Sequence, residues 1–414
     1  MKHTYLAALA VLASFAFFVC AACGPTSSGG HGQPADDDAS PGDDDLSPVA
    51  DDDATPADDD LSPDDDDDDN NDNDASPGDD DNEDVFAVGD NGTILHYEGS
   101  TWSPMDSGTV MDLQSVWGSS RSDIYAAGTT FSSYEDPIGG VLLHYDGSAW
   151  SDGPTLPGAD AQIYSDVWGT SASDVYITGG AIYGYDWGSF PYVLGLIFHY
   201  DGASWSIALR WFYIGYFVFA GVWGSSPSDV FAIGNWDNYD LVNPENGFVI
   251  VHSDGKRWTL MDAASNVGGY YHLAAIWGTS HSDVFAVGSS GDPDYGDMVM
   301  HYDGLRWSEL PVPSGGGGLY AVWGASASDV FASGTNDTSM SYVLHYDGAT
   351  WIRTVLEDNA LFEGLWGTSS SQIYGAGIGT YGLGLIFRFD GSSWSPMNIG
   401  STVPALAGVW GPAR

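Results

Sequence analysis

Cysteine is nearly missing from this chain. Its 414 residues include two, Cys20 and Cys23, so everything after position 23 lacks a thiol and cannot be braced by disulfides. Stability there must come from a packed core. Positive charge is equally scarce: Lys and Arg total 9 against 58 Asp and Glu, a formal net charge of −49. A chain this acidic repels nucleic acid and anionic lipid headgroups, which excludes both as partners. The one long uncharged apolar run, Tyr5 to Val19, is too short to span a bilayer as a helix of a mature protein. No Gly-x-Ser-x-Gly, His-Glu-x-x-His or Gly-x-x-x-x-Gly-Lys occurs, so no catalytic residue is assigned from motifs.

What the chain does have is a repeat. A Val/Ile/Leu-Trp-Gly triplet stands at Trp117, Trp168, Trp223, Trp277, Trp323, Trp366 and Trp410. A second tryptophan closes an Asp/Glu-Gly-x-x-Trp phrase at Trp102, Trp150, Trp205, Trp258, Trp307, Trp351 and Trp394. Seven of each define seven units, at a spacing that suits four short strands per propeller blade. The third unit reads as strand Tyr164 to Trp168, a Ser-Asp turn ending at Asp174, strand Val175 to Ile177, strand Leu196 to Tyr200, an Asp-Gly turn, and a fourth strand from Trp205. The first unit opens on a second strand at Asp84, and the inner strand it lacks appears at the other end of the chain, Ala405 to Gly411. The expected fold is all-β: a seven-bladed β-propeller with four antiparallel strands per blade, closed by a C-terminal strand joining the N-terminal blade.

The phrase Tyr-Asp-Gly-x-x-Trp, as in Tyr145 to Trp150 or Tyr302 to Trp307, resembles the Asp-box of BNR-type propellers. It lacks that family's leading Ser and one residue between Asp and Gly. The whole unit is similar to the Val-Trp-Gly repeats of bacterial surface lipoproteins with acidic stalks, a likeness that covers residues 84 to 414 and implies no activity. Sialidases share the Asp-box but hold a substrate carboxylate in an arginine cluster. The arginines here, among them Arg257, Arg306 and Arg353 in or near outer turns, do not point to one pocket.

Repetition itself argues for structural roles. His96, His144, His199, His252, His301 and His345 recur at one strand position, with Arg388 in the seventh unit. Third strands lie away from the axis at ~4.8 Å per strand, so these imidazoles pair locally and share no metal. Asp123, Asp174, Asp229, Asp283 and Asp329 are expected to accept backbone hydrogens in the first turn, with Gln372 in their place in the last unit. The fourteen repeated tryptophans read as core, each contributing on the order of 4 to 6 kcal/mol gross.

Length variation falls on one side, in the loops between second and third strands and between units. These loops are aromatic-rich, and the three body tryptophans outside the repeat, Trp187, Trp211 and Trp236, all belong to units three and four. With Tyr185, Tyr213 and Tyr239 they are the candidate ligand-binding residues, flanked by Asp186, Asp237 and Asp240. Such a surface suits a protein or a neutral glycan; the other reading is that the loops bury their own aromatics. Asp292, Asp294 and Asp297 are the place where Ca²⁺ could bind, and no other cofactor or metal is indicated. An extracellular polysaccharide-acting enzyme and a passive structural surface protein are the alternatives to a binding module.

The N-terminal Cys20-Ala21-Ala22-Cys23-Gly24 resembles the lipobox of bacterial lipoproteins, with Cys20 where that family usually has Leu. The resemblance implies a signal peptide over 1–22, Cys23 as the lipid anchor, and a place at the cell envelope; the expected state of the chain is a monomer. Residues 23–84 read as a stalk: from Pro25 to Asp84 there are 24 Asp, one Glu and no Lys or Arg. Charges closer than the ~8 Å Debye length repel, stretching the segment toward a limit of about 200 Å. The 33 acids and 8 bases left in the 85–414 body give it a net charge of −25.

Overall fold

The computed structural model describes residues 83–130, 139–158, 162–185, 191–213, 215–237, 246–262, 271–290, 296–336, 340–356 and 360–412. The proposed signal, Cys23 and nearly all of the stalk lie outside the described residues. In chain order the strands are β1 (Asp84–Gly89), β2 (Thr93–Glu98), β3 (Trp102–Met105), β4 (Ser115–Ser120), β5 (Asp123–Thr130), β6 (Gly139–Tyr145) and β7 (Trp150–Asp152). There follow β8 (Gln162–Ser171), β9 (Asp174–Tyr185), β10 (Pro191–Tyr200), β11 (Trp205–Trp211), β12 (Tyr216–Ser226), β13 (Asp229–Asp237), β14 (Asn246–Ser253) and β15 (Trp258–Leu260). The rest are β16 (Tyr271–Ser280), β17 (Asp283–Ser290), β18 (Gly296–Tyr302), β19 (Trp307–Glu309), β20 (Leu319–Ser326), β21 (Asp329–Thr335), β22 (Ser341–Tyr346), β23 (Trp351–Val355), β24 (Leu361–Ser369), β25 (Gln372–Ile378), β26 (Gly384–Phe389), β27 (Trp394–Pro396) and β28 (Leu406–Trp410).

The architecture is all-β and consistent with a β-propeller. Five sheets are four-stranded and antiparallel; the sixth has eight strands, because β8–β11 and β12–β15 are joined by a parallel pairing of Val193 with Tyr216. The chain's last strand pairs with its first, Phe86 opposite Trp410 and Ala87 opposite Val409.

The repeated Trp-Gly doublet has a packing reason. A Cβ added to Gly169 would stand 2.7 Å from the Trp117 ring; Gly224 meets Trp168 at 2.9 Å, Gly278 meets Trp223 at 2.8 Å, Gly324 meets Trp277 at 2.6 Å and Gly367 meets Trp323 at 2.9 Å. Gly411 meets Trp366 at 2.7 Å and Gly118 meets Trp410 at 2.7 Å, which returns the series to its start. Each inner tryptophan sets the far edge of its indole against the bare backbone of the following unit, where any side chain would collide. The outer tryptophans pack the other way. Trp150, Trp205, Trp258, Trp307 and Trp351 stand edge-on to Phe86, Tyr125, Tyr176, Phe231 and Phe285 of the preceding unit, the T-shaped geometry ring quadrupoles favour.

The core accordingly lies between units. Val88 and Ile94 of the first unit pack with Ile124 and Leu143 of the second, and Tyr176 and Ile197 of the third with Phe219 and Val230 of the fourth. Val85 and Leu95 pack with Tyr374 and Ile386 of the seventh. Second strands such as β5 and β25 are buried on both faces because a sheet covers each side, so simple alternation does not describe them. Burial of the tryptophans is uneven: Trp102, Trp150, Trp307, Trp351 and Trp410 are buried, while Trp117, Trp205, Trp258 and the other repeated tryptophans stay partly exposed.

Candidate functional site: the loop-bearing rim

Because each sheet meanders, its first and third connections share one side and its second connection shares the other with the link to the next unit. The turn side carries the repeated polar residues. Each repeated histidine stacks on the aromatic opposite it, as in Phe86–His96 (centroids 4.2 Å), Tyr176–His199 (4.3 Å) and Phe331–His345 (4.3 Å). Its Nε2 meets the aspartate two residues before that aromatic: His144 and Asp123 at 2.8 Å, His252 and Asp229 at 2.7 Å, His301 and Asp283 at 2.8 Å. The second carboxylate oxygen accepts from a hydroxyl four residues earlier, Ser119 for Asp123 and Thr279 for Asp283. The sequence suggests backbone amides as partners of these aspartates; the structure gives them side chains, because the carboxylate must reach across to the third strand.

The seventh unit solves the same problem with opposite charges. Arg388 and Gln372 replace His and Asp, and the missing carboxylate is Glu83, which accepts from Arg388 Nη2 at 3.0 Å and from Gln372 Nε2 and the Tyr374 hydroxyl. Third connections are held differently again. Asp146 Oδ1 accepts the amides of Ser148 (2.8 Å) and Ala149 (3.0 Å) and the Ser148 hydroxyl, which hold its carboxyl down at about 2. Gly147 follows at φ +91°, a left-handed conformation that excludes a side chain cheaply.

The loop side differs from unit to unit. In units three and four β9, β10, β12 and β13 run to 12, 10, 11 and 9 residues, against 6, 8 and 7 for β4, β5 and β6. Their extension is underpinned by a small core of Ile163, Ile182, Val193 and Val218. On it stands an aromatic cluster. Tyr183 stacks on Tyr192 (5.8 Å) and its hydroxyl reaches the Tyr213 carbonyl at 3.4 Å; Tyr213 packs on Trp236 at 5.1 Å and Trp211 on buried Phe217 at 5.9 Å. Two rings stand out to solvent, Phe212 at 71% and Tyr183 at 50% exposure.

Of the candidate binding residues, Trp211, Tyr213 and Trp236 are thus brought together, half-buried, as the base of this cluster. Trp187 and Tyr239 lie outside the described residues, and Tyr185 ends β9. Phe212 and Tyr183 were not singled out among the loop aromatics, although alternation along Arg210-Trp211-Phe212-Tyr213 turns Phe212 away from its two neighbours.

Acids whose titration is pushed up by burial lie on the inner strands and in the loop-side connections. Asp166 accepts from the Ser115 hydroxyl at 2.6 Å and the Val222 amide at 3.0 Å, tying β4, β8 and β12 together, while burial pushes its pKa up to about 6. Asp90 rises to about 6 through burial and then Asp112, and Glu363 to about 7 through burial and then Asp90. Burial lowers His272 to about 4. Asp297, one of the three acids considered for Ca²⁺, is instead committed: it pairs with Arg353 Nη2 at 2.9 Å, accepts from the Tyr342 hydroxyl, and takes the Gly318 amide at 3.2 Å. Arg353, expected near an outer turn, is half-buried in this network with its guanidinium 4.2 Å over the Tyr342 ring. Asp292 and Asp294 lie outside the described residues, among which no group of three metal-ligating side chains is found.

No family model matches the chain, and no curated protein matches it in sequence. Solved structures share its architecture. A putative 6-phosphogluconolactonase from Bacteroides uniformis superposes with a TM-score of 0.50 at 10% identity, covering 80% of this chain and 99% of its own. A lectin from Burkholderia pseudomallei gives 0.48 at 13% identity, over 76% and 95%. YCF48 bound to D1 peptide gives 0.46 at 16% identity, over 75% and 87%. At such identities the likeness speaks for the fold alone.

Proposed function

We propose that this protein is a non-catalytic binding module, a seven-bladed β-propeller held at the cell envelope by a lipid on Cys23 and an acidic stalk, which takes a protein or glycan partner on the loop-bearing rim of units three and four. The observation that carries the reading is the aromatic cluster, in which exposed Tyr183 stacks on Tyr192, Tyr213 packs on Trp236, and Phe212 stands out to solvent between Trp211 and Tyr213 in the chain. Rigid, solvent-facing aromatics bury large apolar area on binding with little further loss of freedom. The wider candidate surface is taken to include Trp187, Trp211, Trp236, Tyr185, Tyr213 and Tyr239, of which Trp187 and Tyr239 lie outside the described residues. The blade count is supported by the seven Trp-on-Gly contacts that return to their start, the eight-stranded sheet counting as two blades joined at their loop ends.

Glycan-array and pull-down binding compared between the wild type and Phe212→Ser, Tyr183→Ser and Trp236→Ala tests the rim. Loss of a captured ligand in these variants supports it; binding unchanged in all three overturns it. Mass spectrometry of the mature N-terminus tests the anchor, which an unmodified Cys23 would rule out. A second reading, catalysis on a polysaccharide, is favoured by Asp90 and Glu363, whose pKa values of about 6 and 7 lie where a general acid works. Hydrolysis abolished by Glu363→Gln would establish it in place of the first.

A further inference from the structure

We infer that Met261 and Met397 are methionine-oxidation sites built into the joints between units, where a peroxide converts the thioether to a sulfoxide and the outer tryptophan of the next unit takes the new oxygen as its hydrogen-bond acceptor. This chemistry is separate from the rim. Both methionines stand three residues after an outer tryptophan, Trp258 and Trp394. The backbone fixes that position: the Met261 amide donates to the Ile250 carbonyl at 2.9 Å and the Met397 amide to the Ile386 carbonyl at 2.8 Å. Each side chain faces the outer indole of the following unit. Trp307 Nε1 donates to Met261 Sδ at 3.3 Å, and Trp102 Nε1 donates to Met397 Sδ at 3.5 Å.

The same position in other units shows what the indole wants. In the fifth unit it is Leu310, held by the same kind of amide bond to Val299, and Trp351 Nε1 of the sixth is buried with no partner among the described residues. In the first unit it is Met105, and Trp150 Nε1 of the second is likewise buried and unpaired. A buried N–H without an acceptor is costly, and a thioether sulfur is a weak acceptor. A sulfoxide oxygen is a strong one, so oxidation that would disrupt an apolar core improves the bond at these two joints. Access separates the two sites from the core methionines: Met298 and Met300 are 0% and 1% exposed, while Met261 and Met397 are half-buried at the margins of their clusters. In the reaction a sulfur lone pair attacks one peroxide oxygen and the O–O bond breaks. The proton of the attacked oxygen passes to the departing hydroxide, which leaves as water; sulfur loses two electrons and the peroxide gains them. The unbranched side chain then turns its oxygen onto the indole N–H.

The test treats the folded full-length protein with hydrogen peroxide, maps sulfoxides by peptide mass spectrometry and measures urea midpoints before and after. The expected result is sulfoxide at Met261 and Met397 with Met298 and Met300 spared. Oxidation should lower the midpoint of the wild type less than that of Trp307→Phe, which keeps an aromatic ring but removes the N–H. Exposed Met340 and the remaining methionines are common to both proteins and cancel in the comparison. Met261→Leu asks the same question without touching a buried tryptophan, and decides it if Trp307→Phe does not fold: its midpoint should lie further below the wild type after peroxide than before. Met261 and Met397 protected as fully as Met298 and Met300 would overturn the inference. Equal oxidation-induced shifts in the wild type and Trp307→Phe, or a gap to Met261→Leu that stays the same or narrows, would overturn it as well.

Discussion

The two sides of the sheets are built from opposite materials. On the turn side the same aromatic, imidazole and carboxylate recur unit after unit, each polar group answered by a neighbour, as in Phe285, His301 and Asp283. On the loop side Tyr183, Phe212, Val110 and Tyr381 are exposed, the last at 94% and in a left-handed conformation (φ 69°) that an L-residue with a large side chain rarely adopts. The first unit has Asn91 at the matching place, φ 57°, where a short polar side chain is at ease. One side is thus optimised for closing the ring, and the other keeps side chains that closure does not need. Positive φ at residues other than glycine, at Asn91 and Tyr381, occurs among the described residues only where the units are free to differ.

That division can be broken experimentally, beginning with the ring itself. Gly278→Val forces a branched side chain into the Trp223 ring and the Asp283 carbonyl oxygen, which a Cβ would already approach to 2.8 and 2.7 Å. A loss of about 3 kcal/mol, read as a lower urea midpoint, is expected. Glu83→Ala strands Arg388, Gln372 and the Tyr374 hydroxyl and should cost about 2 kcal/mol, with part recovered by Glu83→Gln. A smaller loss than Asp329→Ala causes in the sixth unit would show that the seventh does not depend on its borrowed carboxylate.

Asp166 sharpens the contrast through pH. Its pKa rises on folding from 3.8 to about 6, so the folded chain keeps a proton that the unfolded chain gives up, and the associated stability is present at low pH and lost as pH rises through about 6. Asp166→Asn can still accept the Val222 amide and donate to Ser115. It should gain about 2 kcal/mol relative to the wild type at pH 7 compared with pH 4, measured as urea midpoints at both. His272 works in the other direction, since stability tied to its neutral form is lost as pH falls from 6.5 toward 4, and it remains in both proteins. The smallest effect belongs to the rim: Phe212→Ser should leave the urea midpoint within about 0.5 kcal/mol of wild type while changing binding. A large stability loss there would mean that the exposed ring belongs to the packing and not to a surface.

Much of the fold was legible in sequence because its determinants are local and repeated. The Trp-Gly doublet, the Asp-Gly turn and the second strand completed from the far terminus each read from a few adjacent letters, and β28 pairs with β1 where that reading places it. The site was legible only in outline. Composition marked units three and four as aromatic, yet which rings face water depends on strand extension beyond the usual length and on the underlying Ile163, Ile182, Val193 and Val218. Trp211 and Trp236, the residues with the strongest binding character by type, turn out to be the base, and the neighbours Phe212 and Tyr183 the outward faces.

By itself the sequence determined the repeat, the strand order and the charge, since period, turn residues and acid count need no partner in space. Tertiary structure alone decided that Glu83 serves as the carboxylate of a unit 289 residues away at Gln372, that Asp297 is held by Arg353, and that Phe212 stands in solvent. Those facts depend on which surfaces meet when the sheets stack, and a contact between distant segments leaves no mark in either segment read alone.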